Sequence, residues 1–129
     1  MNLDKSQFNE LGKKYDLRLL MVFGSQVNGD INQDSDFDFA FISNNEVNLR
    51  DLNSDLIDIV NNDKVDLVDL KKTNPLLKHE ISNRSELVHG NELDYLEFKA
   101  SAFKEYIDSK PLFDLQNLLI KKRQELIHG

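Results

Sequence analysis

The feature that most constrains this chain is the alternation Asp36-Phe-Asp-Phe-Ala-Phe41, which sets Phe37, Phe39 and Phe41 against Asp36, Asp38 and Ala40. Successive side chains of a strand point to opposite faces, so this is a strand with an aromatic face for the core and a carboxylate-bearing face opposite. It needs neighbours, and the sequence offers them. Leu17 to Phe23 reads as a short buried strand, and Val65 to Leu70 as another, in which Val65, Leu67 and Asp69 oppose Asp66, Val68 and Leu70. Phe8, Leu11 and Tyr15 follow helical spacing after Asn2 as a cap, and Leu49, Leu52, Leu56, Ile59 and Val60 form the stripe of a second helix. Pro75 opens a helix through Ile81, and a short strand follows around Leu87–Val88. Leu93, Leu96, Ala100, Phe103 and Ile107 then repeat on one face of a helix that Pro111 ends. Leu115, Leu119 and Leu126 mark a last amphipathic helix from Leu112 to Ile127.

The expected fold class is α/β (α+β): a small mixed sheet flanked by helices, with a helical C-terminal third. A chain of 129 residues, 40% hydrophobic, buries one core of ordinary size, so one domain is expected over residues 1–129. Its α/β part ends at about residue 90, and a helical tail follows from about 91. The net charge of -7, from 23 acidic against 16 basic residues, disfavours direct nucleic-acid binding. Lys71–Lys72 and Lys121–Lys122–Arg123 read as solvated ends of elements. Nothing approaches the roughly 18 apolar residues of a membrane span, so the expectation is a soluble, cytoplasmic protein with no membrane association. Without cysteine there is no disulfide, thiolate nucleophile or thiolate zinc site. His79, His89 and His128 show no ligand spacing, and Tyr95, Phe98, Phe103 and Tyr106 read as core or interface.

Asp36 and Asp38, two apart on a strand, project from one face and can share metal ions. Two hard cations about 3.5–4 Å apart can hold a triphosphate, polarise its α-phosphorus and activate an attacking hydroxyl. Asp66 supplies the third carboxylate from a second apolar strand, while Asp69 has the other parity and ranks as a backup ligand or a surface residue. Gly24 and Ser25 can form a tight turn whose N–H groups, with the Ser25 hydroxyl, cradle the β- and γ-phosphates. Each piece alone also fits loop chemistry or solvated acids. Together, three carboxylates on one face repel one another unless metal relieves them.

Competing motifs fail on particular residues. Gly24 to Gly29 has the glycine spacing of a P-loop, but Asp30 and Ile31 stand where Lys and Ser or Thr are required. Asp34-Ser-Asp-Phe-Asp-Phe39 begins like a calcium loop, yet Phe39 replaces the glycine and Asn45 the terminal Glu.

Gly24–Ser25, ten residues from Gln26 to Ser35, then Asp36-Phe-Asp38 resembles the signature of the minimal nucleotidyltransferase (MNT) antitoxins, of MntA type, in the polymerase-β-like superfamily. Val65-Asp-Leu-Val-Asp-Leu70, Pro75-Leu-Leu-Lys-His-Glu-Ile81 and the helical tail extend the resemblance over nearly the whole chain. It implies an enzyme that moves AMP from ATP, with Mg2+, onto a tyrosine of a HEPN-domain ribonuclease toxin and so neutralises it. It also implies Gly24 and Ser25 for phosphate binding and Asp36, Asp38 and Asp66 for metal, the third acid also acting as base. A homo-oligomer, or a hetero-oligomer with the toxin, is the expected assembly. One departure stands out: relatives often carry arginine after Gly-Ser, whereas Gln26 to Ser35 hold no Lys or Arg. Triphosphate charge then falls to metal, backbone amides or a distant base such as Lys71 or Lys72. Two alternatives remain open, a binding-only antitoxin that masks the toxin and a transferase acting on a small molecule such as an aminoglycoside.

Overall fold

Leu17–Phe23 (β1) is buried at nearly every position because it runs between two partners, and it is one of the two central strands of the sheet. The computed structural model describes residues 5–24 and 36–128; Asn2, Ser25 and the Gln26 to Ser35 segment lie outside the described residues. The elements follow the order α1 (Lys5–Lys14), β1, β2 (Phe37–Ser43), α2 (Leu49–Val60), β3 (Val65–Asp69), a 3-10 turn (Leu70–Lys72), α3 (Pro75–Asn83), β4 (Ser85–Gly90) and α4 (Glu92–His128). The sheet order is β3-β2-β1-β4. β1 is antiparallel to both β2 and β4, and β2 is parallel to β3, which makes the sheet mixed as expected.

Each face of the sheet carries its own core. Phe37, Phe39 and Phe41 turn to the side of α1 and α2, where Phe8, Leu11, Leu52 and Leu56 complete the packing with Leu20, Val22 and Val65. Ala40 and Ile42 turn to the other side, against Leu19, Met21, Leu70, Ile81, Tyr95, Phe98 and Ala102. Local chemistry fixes the helix ends. Asn48 Oδ1 accepts from the Asp51 N–H, and Asn74 Oδ1 from the Leu77 N–H ahead of Pro75 in the first turn of α3.

Two expectations about the C-terminal third need correction. α4 runs through Pro111 without ending. A proline removes one N–H from the ladder, but both flanks of this helix are well stocked with helix formers, and the Lys110–Asp114 ion pair at 3.0 Å spans the position. The stripe Leu93, Leu96, Phe103 and Ile107 faces solvent. Tyr95, Phe98 and Ala102 form the face that packs, and the Tyr95 hydroxyl donates to the Ser85 carbonyl at 3.0 Å. The helix carries two apolar faces, and spacing alone does not choose between them. Beyond Ile107, Leu112, Leu115, Leu118, Leu119, Ile120, Leu126 and Ile127 are all exposed. No described helix is long and apolar enough to cross a membrane.

Candidate active site

β1 delivers the chain to one end of the sheet at Phe23, whose register partner on β2 is Asp38. Asp38 in turn is the register partner of Asp66 on β3. Because Phe37 and Phe39 occupy one core and Val65 and Leu67 pack on the same side, Asp38 and Asp66 must both project from the opposite face. Their Cα atoms therefore sit on adjacent strands about 4.8 Å apart. Asp36, exposed and just ahead of β2, has the parity of Asp38.

Asp38 is half-buried, and its carboxyl is held above the ordinary carboxylate range by burial first, then by the charges of Asp66 and Asp36 and a hydrogen bond with Asp66. The three acids expected from the sequence are thus neighbours that act on one another. Among the described residues no three acidic or histidine groups close around one point, so the arrangement is an open shelf of hard oxygen donors. Their donor chemistry fits a divalent cation, which relieves the repulsion that raises Asp38.

Gly24 follows directly, with φ +83°, and a Cβ built there meets Asp38 Oδ2 at 2.5 Å. Glycine is required at this position by left-handed backbone and by the approach of Asp38, a constraint distinct from the expected clearance for phosphate.

Asp69 does not join the cluster. Its Oδ1 accepts from the Lys71 N–H at 3.0 Å and caps the 3-10 turn, and its carbonyl accepts from the Thr73 hydroxyl at 2.7 Å. Capping, not metal ligation, is the work of this side chain. Lys71 and Lys72 also lie at the wrong end of the sheet: they follow the C-terminal end of β3, and Lys71 Nζ donates to the carbonyl of Ser43, the last residue of β2 and five residues beyond Asp38. Neither lysine serves as the distant base for a triphosphate at the carboxylates.

Two arginines that sequence reasoning passed over stand nearer. Arg84 immediately precedes Ser85, the register partner of Phe23, and Arg50 lines a cleft with Asp66. Both were legible only as isolated exposed charges until the register was known. The histidines are structural as far as they are described. His79 stacks on Tyr106 with ring centroids 4.1 Å apart, and His89 bridges Asn9 Oδ1 at 2.8 Å and the Leu17 carbonyl at 3.2 Å.

The family model for polymerase beta nucleotidyltransferases matches residues 7–94, from α1 into the first turn of α4, and so takes in all four strands and the carboxylate shelf. The chain belongs to the polymerase beta nucleotidyltransferase family. This nucleotidyltransferase is similar to the protein adenylyltransferase MntA of Aphanizomenon flos-aquae (strain 2012/KM1/D3), at 32% identity over 93 residues, covering 60% of this chain. The match spans 62% of that relative's length, under two thirds of it. Its fold is also that of a crystal structure of a toxin-antitoxin with AMP-PNP, with a TM-score of 0.76 at 21% identity over 95% of this chain and 99% of that one. A second structure, the tri-AMPylated Shewanella oneidensis HEPN toxin in complex with MNT antitoxin, gives a TM-score of 0.68 at 19% identity over 93% and 95% of the two chains.

Proposed function

We propose that this nucleotidyltransferase moves AMP from ATP onto a tyrosine hydroxyl of a HEPN ribonuclease toxin in the cytoplasm and neutralises it. The observation that carries the reading is the placement of Asp38 and Asp66 in register on parallel strands, on one face, with Asp36 of the same parity beside them. Three carboxylates so placed repel one another, which is tolerable at a site whose work is to hold cations. The similarity to a protein adenylyltransferase and to antitoxins solved with a HEPN toxin supports a protein acceptor.

Asp36, Asp38 and Asp66 would hold Mg2+, which supplies charge neutralisation for the triphosphate and its leaving group. Gly24, and Ser25 just beyond the described residues, would hold phosphate oxygens at the end of β1. Asp66, on the outer of the two carboxylate strands, takes the proton of the incoming phenol. The phenolic oxygen forms its bond to the α-phosphorus, the bond to the bridging oxygen breaks, and pyrophosphate leaves.

The tail of α4 supports a protein partner. Leu112, Leu115, Leu118, Leu119, Ile120, Leu126 and Ile127 stand exposed among the charged positions of this amphipathic tail, and a broad exposed apolar face is one that another surface covers. This tail equally serves a masking antitoxin, so the separating test is catalytic. The purified chain with its co-purified partner, Mg2+ and labelled ATP should place label on the partner, and the Asp38→Asn variant should bind the partner without labelling it. Equal labelling by the variant would remove Asp38 from the chemistry.

A further inference from the structure

Within the described sheet β3 is an outer strand, with β2 on one side and no strand on the other. The Phe37 N–H donates to the Lys64 carbonyl at 2.8 Å, and that bond fixes which backbone groups point where. In a strand the N–H and C=O of one residue point to the same side and those of the next to the opposite side. The backbone groups of Asp66 and Val68 therefore turn to β2, and those of Val65 and Leu67 turn outward.

A cleft of about 290 Å³ lies against this outward edge, lined by Leu49, Arg50 and Asn53 of α2 and by Val65, Asp66 and Leu67. Asn53 interrupts the apolar row Leu49, Ile57 and Val60 at helical spacing, of which Ile57 and Val60 pack on the core. Its Oδ1 is shut off from solvent and has no hydrogen-bond partner among the described residues. Arg50 likewise has no carboxylate within ion-pair distance among the described residues. Unspent backbone donors and acceptors, an amide oxygen in want of a donor and an unpaired guanidinium together make a place for an extended peptide with an acidic side chain.

Resting on the AMP-transfer reading above, we infer that the outer edge of β3 is the acceptor-docking site: a tyrosine-bearing segment of the partner adds to β3 as an extended strand. Residues paired across strands project to the same face, so a tyrosine opposite Asp66 extends over the face that carries Asp66 and Asp38. An acidic neighbour on the segment meets Arg50. The docked phenol then gives its proton to Asp66 as its oxygen bonds to the α-phosphorus and pyrophosphate departs.

The probe is the peptide acetyl-Val-Glu-Tyr-Glu-Val-amide, whose glutamates flank the tyrosine and so turn to the α2 side, titrated into the isotope-labelled full chain with Mg2+ and a non-hydrolysable ATP analogue. Amide exchange at Val65 and Leu67 should slow about tenfold, with little change at Asp66 and Val68, which already face β2. With ATP in place of the analogue, Leu67→Pro deletes an outward N–H without touching the ladder to β2, and Asn53→Leu deletes the amide at similar size. Each should lower AMP transfer to the peptide about tenfold through KM, with ATP affinity by calorimetry unchanged. Should Leu67→Pro fail to fold, Asn53→Leu and the exchange data on the unmodified chain decide. Full transfer in the variants, or no slowing at Val65 and Leu67, overturns the docking edge while leaving AMP transfer intact. Slowing at both amides with no AMP on the peptide supports the edge and counts against the transfer reading.

Discussion

Replacing Gly24 with alanine separates two reasons for a glycine at the end of β1. Its φ of +83° lies in the left-handed region, where a β-carbon is strained by about 1–2 kcal/mol. The added Cβ would stand 2.5 Å from Asp38 Oδ2, against 3.4 Å for ordinary contact, so about 0.9 Å must be made up. The clashing atom is the far end of a carboxylate, which rotates at little expense to the fold. Stability should therefore fall by only the backbone strain, about 1–2 kcal/mol. The rotation moves one of the three acids by nearly an ångström, and a misplacement of that size costs roughly a hundredfold in rate. The assay is urea unfolding alongside AMP transfer to the partner and calorimetric titration of an ATP analogue. A drop in kcat of about two orders of magnitude with near-normal nucleotide affinity is expected. Normal kcat with weakened nucleotide binding would refute the reasoning and return Gly24 to the role of a phosphate clearance alone.

Asp36→Asn and Asp38→Asn should each abolish AMP transfer while leaving the metal-free fold as stable or up to about 1 kcal/mol more stable, since either removes one like charge from the cluster around Asp38; urea midpoints and labelled-ATP assays check both halves. Gly12→Ala should destabilise by about 1–3 kcal/mol despite better helix propensity, because the Cβ would lie 2.2 Å from the His89 ring; in a His89→Ala background the same change should become stabilising, and unfolding curves of the four proteins test the reversal of sign. The Tyr15 hydroxyl donates to Asp55 at 2.6 Å, and the Asp55 carboxyl is held below its ordinary value by its hydrogen bond from Lys14 first and by this bond second. A lowered carboxylate stabilises above its unfolded pKa of about 3.9 and loses that contribution as pH falls through the folded value. Tyr15→Phe should cost about 1–2 kcal/mol at pH 7, and the difference from the unmodified chain should shrink toward pH 3 in urea titrations.

Where period and burial agreed, elements were legible at the sequence level. β1, α2 and the aromatic face of β2 follow from Leu17 to Phe23, the Leu49–Val60 stripe and Phe37-x-Phe-x-Phe41, and the parity of Asp66 against Val65 and Leu67 placed the third carboxylate with the other two. Parity failed to settle α4, because Tyr95, Phe98 and Ala102 compete with Leu93, Leu96 and Phe103 for the sheet, and the faces are distinguished by long-range contacts such as the Tyr95 hydroxyl on Ser85 and the Arg18–Asp94 and Lys78–Glu105 ion pairs. Pro111 was a fair stop signal that a long helix absorbed. Lys71 and Lys72 were plausible phosphate partners while their distance from Asp66 was unknown; strand direction puts them at the far end. Arg50 and Arg84 gave no local signal, since what places them near the carboxylates is the packing of α2 beside β3 and the pairing of β4 with β1.

The central claim is that the carboxylate shelf transfers AMP to a protein partner. Its most direct test is the intact mass of the toxin partner after co-expression with the unmodified chain and with Asp38→Asn, read together with growth of the same cells. The account predicts whole-adenylate mass increments on the toxin and protected growth with the unmodified chain. With Asp38→Asn it predicts an unmodified toxin that still co-purifies, and arrested growth. Protected growth with Asp38→Asn and no adenylate on the toxin would contradict it and make the protein a masking antitoxin.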